Sequence, residues 1–312
     1  MAGRTRRQPD QRAEKTREHK TQVVGRGARH VCSRKRLKGK YLEINSQTIT
    51  VMGQDWNVAV IGPEDAEHTL LLCNGIGASV ETVSPFVSHF KRTRLIAFDV
   101  PGVGKSPTPW SPYRLTNLTR MLNKILDKMG VGKVHVFGVS WGGALAQQFA
   151  YDFQERCVSL TLAATSAGMV MVPGNISVLS KMATPKRYQD PNHMLEIGAE
   201  IYGGEVAFNR ELLKEHAAAM RAGDKKGYMY QLLAGIGWTS FFWLGQIKIP
   251  TLILMGEEDP IVPTVNGKIM ATRIPNATLE LVPCGHMFVL TQAEDVADRV
   301  ETFVHEGAMA EA

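Results

Sequence analysis

The chain is poor in several of the features that would assign it a class at once. It has four cysteines in 312 residues. Cys32, Cys73, Cys157 and Cys284 form no C-x-x-C pair and no metal-ligand spacing, so a disulfide scaffold and a zinc module are both excluded. The thiols are expected to be free and the compartment reducing, and Cys73 and its apolar neighbours read as core. No apolar run approaches the ~20 residues that span a bilayer. The N-terminus is basic but has no apolar segment of the kind a secretory signal needs. A soluble protein that is not secreted by the usual route is the expectation. No internal repeat occurs at the periods of solenoids. The sequence also lacks G-x-G-x-x-G and any lysine that completes a phosphate loop.

What is present is ordinary for a globular domain: 44% hydrophobic and 21% charged residues. Charge is unevenly spread. Residues 1–40 hold 14 of the 36 basic side chains and three of the 30 acidic ones. This segment therefore carries +11, and the remainder carries −5. Residues 1–39 read as a basic extension with too few apolar residues to offset ordering entropy, and are expected to be disordered. Such a tail can meet an anionic partner, but basic tails mark partners weakly, and nucleic acid is not expected to be one.

From residue 40 onward, short apolar runs alternate with amphipathic stretches. Tyr41–Ile44 and Gln47–Val51 read as strands around Asn45-Ser46, followed by Trp56–Val60. Thr69–Cys73, Arg94–Phe98, Val134–Phe137, Val158–Ala163 and Thr251–Met255 read as strands buried on both faces, and Thr278–Val282 as the next strand. In residues 115–126 the apolar positions recur at three and four, and Gly130 is a C-cap candidate. Thr291 with Glu294 is a capping box for a last helix whose buried stripe is Val296, Val300 and Phe303. Alternating strands and helices predict an α/β fold with a mainly parallel sheet. Residues 168–245 break the alternation with short helical stretches rich in Met, Tyr, Gly and Trp. They read as a helical cap inserted between core segments 40–167 and 246–306, with 307–312 a C-terminal tail.

Gly138-Val139-Ser140-Trp141-Gly142 lies between the run Val134–Phe137 and the small-residue helix that begins at Gly143. Strand, G-x-S-x-G and helix together make a nucleophile elbow, in which a serine occupies a strained turn between residues that must be nearly side-chain-free. A serine hydroxyl needs a base within reach and a third group to orient that base. On α/β-hydrolase sheets the acid and then the histidine follow the serine in the chain. Asp259 follows the strand Thr251–Met255, and His286 follows Thr278–Val282. The reading is Ser140 as nucleophile, His286 as base and then acid, and Asp259 as orienter. Glu257 and Glu258 compete with Asp259, which is favoured because Pro260 and the following Ile261-Val262-Pro263 fix its turn rigidly. Among the other histidines, His19 and His30 lie in the tail and His68 and His305 in polar, exposed settings. His135 sits in a core strand, and His193 and His216 in the cap.

Two backbone donors are expected for the oxyanion: the N–H of Trp141, after the nucleophile, and the N–H of Ile76 in the loop Asn74-Gly75-Ile76-Gly77. Residues Asp99–Ser106 follow a strand with two glycines and read as a rigid structural loop. Haloalkane and epoxide chemistry on this fold places a carboxylate at the elbow, where this chain has Ser140.

The elbow run Gly138–Phe149, together with Phe98–Gly104, Met171-Val172-Pro173-Gly174, Ile201-Tyr202-Gly203-Gly204 and Gly237-Trp238-Thr239-Ser240, closely resembles bacterial intracellular depolymerases of medium-chain-length polyhydroxyalkanoate. The similarity covers about residues 41 to 305. It implies an α/β-hydrolase fold with a lid and a storage polyester as substrate, cleaved by Ser140, Asp259 and His286 without metal or cofactor. It also implies a cytoplasmic enzyme working on polyester granules, where granule-associated proteins would be its neighbours. Trp238 and Tyr202 are the candidates for lining the polymer site. The basic extension departs from that family. A small-ester or C–C-bond hydrolase with the same three residues is the alternative.

Overall fold

The computed structural model describes residues 44–309, apart from 185, 187–189, 208 and 220–223. The basic segment with Cys32, His19 and His30, and residues Tyr41–Glu43, lie outside the described residues.

Among the described residues eight strands form one sheet: β1 (Ser46–Val51), β2 (Gln54–Ile61), β3 (His68–Cys73), β4 (Thr93–Phe98), β5 (Val134–Val139), β6 (Cys157–Ala163), β7 (Thr251–Gly256) and β8 (Ala277–Val282). Their spatial order is β1-β2-β4-β3-β5-β6-β7-β8. β2 runs antiparallel to β1 and β4, and every later pairing is parallel. The strands expected as continuous apolar runs all form, because alternate residues feed two separate cores. Leu71 and Cys73 face one core and Leu70 and Leu72 the other; Ile253 and Met255 oppose Leu252 and Leu254 in the same way.

The helices are α1 (Ser84–Val87), α2 (Leu115–Lys128), α3 (Trp141–Asp152), α4 (Ile176–Met182), α5 (Pro191–Tyr202), α6 (Arg210–Ala219), α7 (Lys225–Gly235), α8 (Val265–Arg273), α9 (Phe288–Thr291) and α10 (Ala293–Met309). α2 and α3 pack on one face, with Leu118, Leu122, Leu145 and Phe149 fully buried. α1 and α10 cover the other with Phe86, Val296, Val300 and Val304. α2 ends as expected: Gly130 takes φ +67, and the amides of Gly130 and Val131 return to the carbonyls of Asp127 and Leu126.

The hairpin between the expected strands Gln47–Val51 and Trp56–Val60 turns at Met52-Gly53, both at positive φ, with Val51 paired to Gln54. This is the two-residue turn whose twist matches the strands, and it is hidden here by a methionine in the place of the usual Asn or Asp. Thr291 does not cap the last helix. It ends the short α9, its hydroxyl lies 3.2 Å from the Cys284 sulfur, and α10 starts two residues later. The buried stripe of α10 accordingly runs through Val304, with Phe303 only partly covered.

Helices α4 to α7 lie between β6 and β7. Gly168 and Thr239 pair as an isolated antiparallel bridge, and the Met169 amide donates to the Trp238 carbonyl at 2.9 Å, so the two ends of this insertion meet. Among the described residues no helix is long and apolar enough to cross a membrane.

Candidate active site

β3, β5, β7 and β8 are parallel, so their carboxyl ends share one edge of the sheet, where open α/β sheets gather ligands. The loops after these four strands carry Ile76, Ser140, Asp259 and His286.

Ser140 sits between β5 and α3 at φ +54, ψ −120. A non-glycine residue there costs about 1–3 kcal/mol and persists only where its surroundings over-determine it. They do so here. The Ser140 amide donates to the Ala163 carbonyl at 2.9 Å, and the Thr165 hydroxyl donates to the Ser140 carbonyl at 2.8 Å. The flanking glycines leave no room for a side chain. A Cβ on Gly138 would lie 2.5 Å from the Ala146 Cβ, on Gly142 2.1 Å from the Cys73 carbonyl, and on Gly143 2.4 Å from the Thr165 hydroxyl.

His286 connects the other two groups. Its Nε2 is 3.1 Å from Ser140 Oγ and its Nδ1 is 2.7 Å from Asp259 Oδ2. The carboxylate can only accept, so Nδ1 carries the proton and Nε2 is free to take the serine's. The Asp259 side chain is fully buried, and its Oδ1 accepts the amides of Ile261 and Val262 at 2.8 and 2.9 Å. Glu257 and Glu258 are exposed. The turn therefore separates the three acids: one is held and two are solvated.

The loop after β3 lies against the elbow, with a Cβ on Gly75 reaching to 3.8 Å from the Ser140 Cβ. The Gly75 amide donates to Asn74 Oδ1, that of Gly77 to Gln231 Oε1 and that of Ala78 to the Gly75 carbonyl. The Ile76 amide, between them, finds no acceptor among the described residues. Trp141 opens α3, where an N–H has no partner within the helix.

Several histidines are placed differently from expectation. His68 and His305 are partly buried and stack edge-on, and His68 also packs edge-on against His135. His135 is buried and bonded to the Ser159 hydroxyl at 2.8 Å, as a structural histidine. Burial, then the neighbouring His68 and His305, pushes its pKa down to about 4. The thiols of Cys73 and Cys157 are buried, which drives both pKa values up, that of Cys157 to about 12. Among the described residues no three His, Cys, Asp or Glu side chains are grouped so as to hold a metal ion. The loop after β4 is built around Asp99, which is fully buried and accepts from Val80 N, Asn57 Nδ2 and Lys105 N. Burial raises its pKa to about 6.

Trp238 donates its indole N–H to Gln148 Oε1 at 2.7 Å, tying the insertion to α3. Tyr202 is buried beside His286. Its carbonyl accepts the His286 amide at 2.8 Å, its ring lies parallel to the imidazole at 6.5 Å, and its hydroxyl meets His216 Nε2 at 3.2 Å. Sequence reasoning found that residues 260–263 fix the Asp259 turn, but not the support that Tyr202 and Gln231 give to the site. The only trace in the sequence is the spacing of small residues: Gly203 packs on the Glu258 carbonyl and Gly204 on Gly285, each too close for a Cβ.

Residues 68–293 match the family model described as the alpha/beta hydrolase fold. The chain is 48% identical to a poly(3-hydroxyalkanoate) depolymerase of Ectopseudomonas oleovorans over 83% of this chain and 92% of that one. It is 24% identical to 3-oxoadipate enol-lactonase 2 of Acinetobacter baylyi over 81% and 94% of the two chains. Among solved structures, an enol-lactonase from Burkholderia xenovorans superposes with a TM-score of 0.73 at 19% identity, over 83% of this chain and all of the other. That last likeness shows the fold alone. The chain belongs to the α/β-hydrolase fold family and, within it, to the family of the Ectopseudomonas oleovorans poly(3-hydroxyalkanoate) depolymerase.

Proposed function

We propose that this protein is a serine esterase that hydrolyses the ester bonds of intracellular medium-chain-length polyhydroxyalkanoate and works in the cytoplasm at the surface of polyester granules. The observation that carries the chemistry is the hydrogen-bonded series Asp259–His286–Ser140, with the serine in a strained turn. The choice of polymer rests on the 48% identity to the depolymerase.

Ser140 Oγ attacks the ester carbonyl while His286 Nε2 takes its proton, and Asp259 stabilises the imidazolium that results. The amides of Ile76 and Trp141 donate to the oxyanion, aided by the positive end of α3. His286 then protonates the leaving alkoxide, and the chain beyond the scissile bond departs with a new hydroxyl end. Water, deprotonated by His286, cleaves the acyl-enzyme and releases a 3-hydroxyalkanoic acid or oligomer. The insertion acts as a cap over this site. Trp238 and Tyr202 belong to its substrate-facing wall, and Met169, Ile236 and Phe242 of the same insertion are exposed apolar side chains that could meet the polymer. Burial of aliphatic monomer side chains there contributes about 0.8 kcal/mol per CH₂.

The test is release of 3-hydroxyacids from an amorphous medium-chain-length polyhydroxyalkanoate latex, with a soluble short-chain ester in parallel. The native chain should release acid from the latex, and Ser140→Ala should release none. Ser140-dependent cleavage of the soluble ester without any release from latex would leave a small-ester hydrolase and sink the depolymerase reading. Trp238→Ala should lower hydrolysis of latex per folded molecule; an unchanged rate removes Trp238 from the substrate wall.

A further inference from the structure

Gln231 lies in α7, the last helix of the insertion, yet it touches both the loop after β3 and Trp141 at the start of α3. It is almost completely buried. Its side-chain Oε1 accepts the Gly77 amide at 2.8 Å, and its main-chain carbonyl accepts the Trp141 indole N–H, also at 2.8 Å. One residue of the insertion thus joins the loop after β3 to the residue that follows the nucleophile.

The loop itself is held from two sides. On the core side, Asn74 accepts from the Gly75 amide and donates to the Ser79 carbonyl and the Thr82 hydroxyl. On the insertion side stands Gln231. With the amides of Gly75, Gly77 and Ala78 engaged, the loop presents the Ile76 N–H, which has no acceptor among the described residues. Gly77 takes φ +73, a conformation in which the loop is pliable, so an external hold on its amide fixes the peptide next to Ile76. The seat of Gln231 is firm. α7 is capped by Asp224, whose carboxylate accepts from the Thr108 hydroxyl at 2.6 Å. Gly227 packs so tightly on Gly102 that a Cβ would fall 1.9 Å from the Gly102 carbonyl.

We infer that Gln231 is a positioning residue for the oxyanion donors: its amide oxygen sets the Gly75–Gly77 loop so that the Ile76 N–H points at the developing oxyanion. This rests on the serine-esterase reading above. It makes the docking of the insertion a condition for catalysis as well as for covering the site. A hold of this kind acts on the transition state and leaves ground-state ester binding alone.

The test compares Gln231→Met with Gln231→Glu in the full chain on a soluble p-nitrophenyl ester, beside Ser140→Ala. Met matches the shape and removes the acceptor, whereas Glu keeps an oxygen in its place. Gln231→Met should lower kcat about 10- to 100-fold, less than or equal to the loss of a donor itself. KM should stay within about twofold, the signature of an interaction made only in the transition state. Binding of a trifluoromethyl ketone, which forms a tetrahedral oxyanion on the serine, should weaken by the same factor as kcat. Gln231→Glu should recover most of the rate. A normal kcat in Gln231→Met, an equal loss in both variants, or a loss that spares the ketone would each overturn the inference. Should Gln231→Met fail to fold, hydrogen exchange at the Gly77 amide of the native chain decides: protection is expected, and free exchange contradicts the hold. Full activity in Ser140→Ala would instead break the esterase reading itself, whatever Gln231 does.

Discussion

Asp259 commits its two carboxylate oxygens to different tasks, and that split makes a sharp prediction. Oδ1 accepts two main-chain amides and Oδ2 faces His286 Nδ1. In Asp259→Asn the amide oxygen must stay with Ile261 and Val262, which leaves the NH₂ pointing at the imidazole. Nδ1 then has to accept, the ring proton moves to Nε2, and Nε2 can no longer take the proton of Ser140. kcat on a soluble ester should fall by about a thousandfold or more, with folding stability changed little. Glu258→Gln, two atoms of backbone away but exposed, should leave kcat within about twofold. Equal effects from the two variants would contradict the assignment. That Ser140, Asp259 and His286 come together was legible in the sequence, because each follows an apolar strand in the order a nucleophile, acid and base would take. The contacts of Gln231 with the Gly77 amide and of the Tyr202 carbonyl with the His286 amide were not: they span 154 and 84 residues, and no local pattern marks them.

At the scale of elements, glycine means different things at the ends of α2 and α3. Gly130 needs its positive φ, but a Cβ there meets nothing within 4 Å. Gly142 sits where α3 crosses the end of β3, and a Cβ would collide with the Cys73 carbonyl at 2.1 Å. Gly130→Ala should therefore cost only the left-handed backbone penalty, about 1 kcal/mol, and spare activity. Gly142→Ala should cost about 1–3 kcal/mol and, by shifting the elbow, most of the activity as well. Urea unfolding with parallel ester assays separates the two, and similar behaviour in both would refute the packing argument. The buried strands and the period of α2 were readable because core burial writes itself into apolar spacing. The start of α10 was misread: Thr291 carries cap chemistry, but it ends α9, and α10 begins two residues later.

For the whole molecule, two buried groups oppose one another as acid is added. The unfolded chain protonates His135 near its ordinary value of about 6.5, and the folded chain holds it neutral down to about 4. Unfolding therefore takes up a proton in that window, and the stability due to His135 is lost as pH falls from 6.5 towards 4. Asp99 works the other way. Its folded pKa is raised to about 6, so the folded chain gains stability as pH falls through 6 towards its unfolded value. In His135→Gln the first effect is gone. The stability gap between native chain and variant should narrow by about 2 kcal/mol from pH 7 to pH 5, read from urea unfolding at each pH. A constant gap would mean that His135 titrates normally in the fold. The sheet, with its parallel strands and the site along their carboxyl edge, followed from sequence alternation. The seating of the insertion did not, because it depends on close backbone approaches such as Gly102 to Gly227 that only the folded chain reveals. The central claim is that Ser140 carries the acyl group of the polyester. The most direct measurement is rapid-quench mass spectrometry of the native chain mixed with a short oligomer of a medium-chain-length 3-hydroxyalkanoate. The account predicts a transient adduct of one or more hydroxyacyl units on the peptide that contains Ser140, absent in Ser140→Ala. Turnover of the oligomer with no adduct on that peptide, or with an adduct elsewhere, would contradict it.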